Sequence, residues 1–91
     1  MNLYIVILQL SGGAAMSECQ EELRNIGEVA ALTENSFLMR TAMKATEVRD
    51  YIRDHVSPQR SFVTKVNHGA AWNNVLVPNS VIKEWYESID F

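Results

Sequence analysis

Leu3-Tyr4-Ile5-Val6-Ile7-Leu8 is the stretch that decides the fold. It is apolar, rich in β-branched residues, too short for an independent helix, and followed closely by Ser11-Gly12-Gly13. Such a run reads as a strand. Side chains alternate between the two faces of a strand. Tyr4, Val6, Leu8 and Leu10 therefore point one way, and Leu3, Ile5 and Ile7 the other. Both sets are apolar, so both faces need cover and the strand belongs in the middle of its sheet.

The residues downstream supply its neighbours. Ser17 with Gln20 fits a capping box and opens a helix with Cys19, Leu23 and Ile26 on one stripe. Gly27 is the expected stop. Residues 29–33 and 36–41 read as a hairpin turning at Glu34-Asn35, with Phe37, Met39 and Thr41 on one face and Ser36, Leu38 and Arg40 on the other. A second helix is expected over 45–56, where Val48, Ile52 and Val56 recur every four residues. Ser57-Pro58 ends it, and 61–66 form the last core strand. Pro78-Asn79-Ser80 starts a short third helix, with Asn79 or Ser80 as its N-cap and Val81, Ile82, Trp85 and Ile89 on one face. The fold class is α+β: a ferredoxin-like β-α-β-β-α-β sandwich over 1–77, with a C-terminal helical tail over 78–91. The tail packs on the domain or on a partner subunit, with Trp85 as its anchor.

In this order the two main helices share one face of the sheet. Leu3, Ile5 and Ile7 then need another cover, because a large bare apolar patch is rare on a soluble monomer. The tail or a second copy must supply it, and a homodimer, with the tail contributing, is the expectation.

Composition removes several functions. The 91 residues make one domain with a net charge of −3, which disfavours simple electrostatic binding of nucleic acid. Arg40 and Lys65 are out of phase with Phe37 and Phe62, so no strand carries a basic and aromatic platform for bases. A single cysteine, Cys19, allows no internal disulfide and no thiolate zinc site. No apolar run is long enough to span a membrane, and no signal peptide is read, so a cytoplasmic protein is expected.

No motif carries catalysis, a metal or a cofactor. Ser11-Gly12-Gly13 precedes a helix and is a candidate anion-binding loop, but it lacks the spacing and the lysine of a phosphate loop. Asn67, His68 and Trp72 form a candidate interface or ligand loop, since connecting segments carry function more often than core residues do.

The second half of the chain resembles a known group. SFLMRT at 36–41, EVRDYIRDHV at 47–56, SFVTKV at 61–66, Gly69-Ala70-Ala71-Trp72 and the short tail with Trp85 carry the resemblance. They are similar to the SinR-like branch of the small ferredoxin-like CRISPR adaptation nucleases and their VapD-type toxin relatives. The resemblance implies a homodimer packed through sheet faces. It also implies descent from proteins with an aspartate at the end of the first strand, paired across the dimer to hold a divalent metal for phosphodiester hydrolysis. Here Gln9 stands at that point. An amide is a poor ligand for a hard cation and cannot act as a general base. The expected function is a non-catalytic homodimeric interaction module of prokaryotic or phage origin, binding a partner protein in phage–host conflict. Two alternatives stay open. One is a metal-dependent nuclease using other carboxylates, such as Glu34 or Asp50; the other is a small nucleotide-ligand binder that uses the dimer groove and the Ser11 loop.

Overall fold

The computed structural model describes residues 1–11, 15–67 and 69–89. The elements run β1 (Asn2–Gln9), α1 (Met16–Leu23), β2 (Glu28–Thr33), β3 (Ser36–Thr41), α2 (Ala45–His55), β4 (Arg60–Lys65) and α3 (Asn79–Ser88). This is an α+β, ferredoxin-like fold with an added C-terminal helix. The strands form one antiparallel sheet in the order β2-β3-β1-β4. The doubly apolar strand β1 is thus central, with Ile5 opposite Leu38 and Thr64, and Ile7 opposite Ser36 and Phe62.

The two faces of β1 feed two separate cores. Tyr4, Val6 and Leu8 pack with Cys19 and Leu23 of α1 and with Val48 and Ile52 of α2. The Tyr4 hydroxyl is satisfied by donating to the Met43 carbonyl at 2.6 Å, as a buried phenol requires. On the opposite face, Leu3 and Leu38 are buried with Val66, Val77, Ile82 and Trp85. The 10-residue α3 is too short to be stable alone. Its order comes from this packing, with Lys83, Glu84 and Glu87 left to solvent.

Several details depart from the sequence reading. The first helix begins at Met16, not Ser17, and Ala15 precedes it with no side-chain cap. The backbone carbonyl of Ala15 accepts from Glu18 and Cys19 instead, at 3.1 and 3.2 Å. Met16 packs against the helix-side core, which moves the start upstream. Pro78, not Asn79 or Ser80, occupies the cap position of α3. The Asn79 carboxamide is engaged elsewhere: its Oδ1 accepts from Trp72 Nε1 at 2.8 Å. The last core strand starts one residue earlier than expected, at Arg60, and Val66 lies just past its end. Val66 is still tied to the sheet through its N–H, which donates to the Leu3 carbonyl at 2.7 Å.

Gly27 does not end α1, which stops at Leu23 with Arg24 as its C-cap. Its need for glycine is steric. A Cβ there would lie 2.7 Å from the Arg40 carbonyl oxygen and 2.9 Å from the Thr41 Cβ. Gly27→Ala is expected to cost about 1–3 kcal/mol, the usual range for overpacking. A fall in the urea midpoint at constant slope would read it out; an unchanged midpoint would mean the start of β2 yields freely. Gly69, at φ 79°, occupies a backbone region that glycine alone adopts easily.

Candidate functional site

The second sheet face has two unlike halves. One lies under α3 and the segment leading to it. Arg40, on the same face of β3 as Leu38, fastens that helix. Its Nη1 donates to Ser88 Oγ at 2.6 Å and its Nη2 to Glu28 Oε2 at 2.7 Å. The guanidinium carbon lies 5.2 Å from the Trp85 ring centroid, within cation–π range. One residue of β3 therefore links β2, β3 and α3.

Between α3 and the sheet is a cleft of about 480 Å³. Ile5, Leu38 and Val66 line its sheet side, and Trp72, Ile82 and Tyr86 line it as well. The polar groups are few. Thr33 Oγ1 and Ser36 Oγ share a hydrogen bond of 2.7 Å, and Ser36 is buried. Asn67 is exposed and completes the polar lining. Burial pushes the Tyr86 phenol above its ordinary value, so it remains a neutral hydroxyl at physiological pH.

The other half of the face is open. Ile7 is 46% exposed and its cross-strand neighbour Phe62 is 62% exposed. At their edge Arg60 Nη1 donates to Gln9 Oε1 at 2.7 Å. A shallow groove runs past Ile7, Gln9, Asn35, Arg60 and Phe62.

The chain matches no family model, no curated protein and no solved structure.

Asn67 and Trp72 come together on the cleft, while His68 lies outside the described residues. Trp85 belongs to the same apolar cluster as Trp72. Gln9 is remote from that loop in the sheet register, on the open half. Ser11 is exposed and donates to the Ser57 carbonyl at 3.4 Å; Gly12 and Gly13 lie outside the described residues. The two carboxylates of the nuclease alternative do not form a site. Glu34 is exposed in the hairpin turn, and Asp50 is ion-paired with Arg49 and Arg53 at 2.8 and 3.4 Å. Among the described residues no group of three His, Cys, Asp or Glu is placed to hold a metal ion.

Cys19 is buried against the sheet. Burial, reinforced by the charge of Glu22, pushes its thiol up to about 11. It stays protonated and a poor nucleophile. Glu22 instead accepts from the Tyr51 hydroxyl at 2.7 Å, and Tyr51 stacks on His55 with ring centroids 4.1 Å apart. These contacts tie α1 to α2.

Sequence reasoning missed Arg40, Phe62 and the Thr33–Ser36 pair as site residues. A signal existed for one of them. Arg60 and Phe62 are two apart on β4, so they share a face even though Lys65 does not join them.

Proposed function

We propose that the protein is a non-catalytic homodimeric interaction module whose subunits meet across the open half of the second sheet face. The observation that carries this is the Ile7–Phe62 patch, apolar, contiguous and bare beside a face that α3 otherwise covers. Exposed apolar patches of this kind mark interaction surfaces. A twofold axis through the patch lets each copy present the same surface to the other. Face packing is favoured over pairing of the β4 edges. Full antiparallel self-pairing of β4 would set Arg60 opposite Lys65, and like charges directly opposed are destabilising.

The environments of Gln9, Cys19 and Asp50 support a binding role over a catalytic one. The Gln9 amide is engaged with the Arg60 guanidinium, a cation that opposes a metal ion at that strand end. The one thiol is held protonated, and Asp50 is ion-paired with Arg49 and Arg53. The resemblance to the SinR-like branch supports extending the reading to a protein of prokaryotic or phage origin that binds a partner protein in phage–host conflict.

Light scattering tests the dimer. The expected mass is twice the 10.3 kDa of the chain at micromolar concentration. Phe62→Glu is expected to give the single-chain mass with an unchanged far-ultraviolet circular dichroism spectrum, since a change at so exposed a position leaves the fold intact. A wild-type chain that stays monomeric at hundreds of micromolar would overturn the proposal.

A further inference from the structure

The two edges of the sheet are finished differently. On the β2 side, the Leu76 N–H donates to the Leu32 carbonyl at 3.0 Å and covers part of the edge. On the β4 side, the phase of the ladder shows which backbone groups are left over. Val66 donates to the Leu3 carbonyl at 2.7 Å. Hydrogen-bonded pairs alternate with non-bonded pairs along an antiparallel ladder. In the register of β1 with β4, Thr64 and Phe62 therefore turn their N–H and C=O groups to β1, and Ser61, Val63 and Lys65 turn theirs outward. Leu8 fixes the same phase from the other side of β1, since its N–H donates to the Asn35 carbonyl at 2.9 Å. Among the described residues no loop, side chain or further strand bonds to the outward groups of β4. Such a row is a template for another strand.

Charge selects the strand. Arg60 and Lys65 stand at the two ends of β4, and neither has an ion-pair partner among the described residues. Arg60 lies on the second sheet face beside Gln9, and Lys65, opposite Tyr4, on the helix-side face. The charged side chain lining the groove between this edge and α2 is Arg49, paired with Asp50; no acid lines that groove among the described residues. A second copy is a poor occupant in full register, because Arg60 would face Lys65. A strand with an acid at each end is a good one. Between the ends, Phe62 and Val63 favour β-branched or apolar neighbours, the cross-strand pairs that stabilise sheets.

We infer that the β4 edge binds an extended, acid-flanked segment of a partner protein, which joins the four-stranded sheet as an added strand. Its main chain bonds to Ser61, Val63 and Lys65, and its carboxylates meet Arg60 and Lys65. This rests on the partner-binding part of the proposed function and names the chemistry of the partner; it does not require the dimer.

The probe is the peptide ETVVTE, acetylated and amidated at its ends. It reads the same in both directions, so it matches parallel and antiparallel addition alike. KTVVTK is its control. Amide hydrogen exchange of the full chain is followed by nuclear magnetic resonance. ETVVTE is expected to bind saturably and to slow exchange at Ser61, Val63 and Lys65, while Phe62 and Thr64, already bonded to β1, change little. KTVVTK should bind on the order of tenfold more weakly, as two cross-strand charge pairs turn from attractive to repulsive. Added salt should narrow that gap. In the double variant Arg60→Glu, Lys65→Glu the preference should reverse. Both positions are exposed, and circular dichroism checks that the fold is kept. Absence of saturable ETVVTE binding would overturn the inference, as would equal binding of the two peptides to the wild-type chain or protection at β2 instead of β4. Protection of Ser61, Val63 and Lys65 before any peptide is added would overturn it in favour of a second copy. An oligothymidylate that binds the edge more tightly than ETVVTE would overturn it in favour of a nucleic acid. Light scattering on the peptide-free chain reads the dimer separately, so a dimeric chain that ignores ETVVTE sinks this inference alone.

Discussion

Trp85→Ala is expected to lower the unfolding free energy by about 3–5 kcal/mol, the range for truncating a buried aromatic to alanine. The indole is only 7% exposed and sits in a cluster with Leu3, Leu38, Val66 and Ile82. Its loss opens a void at the centre of the contact between α3 and the sheet. It also removes the ring beside the Arg40 guanidinium, leaving that side chain with Glu28 and Ser88 alone. A domain of this size has a total stability of about 5–15 kcal/mol, so the change takes a large share of it. Urea unfolding followed by circular dichroism gives the value, and the slope carries further information. If α3 detaches in the variant, less surface is exposed on unfolding and the slope falls with the midpoint. If α3 stays docked, only the midpoint moves. A loss below about 1 kcal/mol would place Trp85 at a rim rather than in a core.

The architecture was legible because β1 is apolar on both faces. That one pattern required a central strand and two covers, and the sheet order β2-β3-β1-β4 meets the first requirement. The 36–41 strand was legible for a related reason. Its alternation separates Phe37 and Met39, which join the helix-side core, from Leu38, which joins the other. Helix starts were less legible, because caps are decided by which polar side chain is free. Ser17 has the right chemistry, but the helix begins before it, at Met16, which is half-buried against the helix-side core. Asn79 also has the right chemistry, but the Trp72 indole claims its oxygen. The division of the second face was not legible at all. It depends on the path of the chain from Val66 to Pro78, which sets α3 over Leu3 and Leu38 and leaves Ile7 and Phe62 bare. Hydrophobic periodicity reports that a face must be covered, but not which half a tail reaches.

Deletion of residues 78–91 is expected to have the larger effect: loss of the cooperative unfolding transition, or collapse into large aggregates. Leu3 and Leu38 are almost completely buried in the intact chain, and Val66 is 7% exposed. Removing α3 strips Ile82, Trp85 and Ile89 from them at once. Each such truncation alone costs about 2–5 kcal/mol, and neighbours in one cluster do not add simply. Even with that discount the sum rivals the whole stability of a small domain. The surface left behind is also worse than a bare half-face. Leu3, Ile5 and Leu38 would join Ile7 and Phe62 in one continuous apolar sheet surface, an arrangement that drives association in water. The helix-side core cannot compensate, because α1 and α2 pack only on Tyr4, Val6 and Leu8 of the central strand. Thermal unfolding by circular dichroism and light scattering across a concentration series follow both outcomes. A truncated chain that keeps the mass in solution and the melting temperature of the full chain would show that the second core contributes nothing to the fold. The buried state of Leu3 and Leu38 would then have to be maintained by residues 67–77 alone.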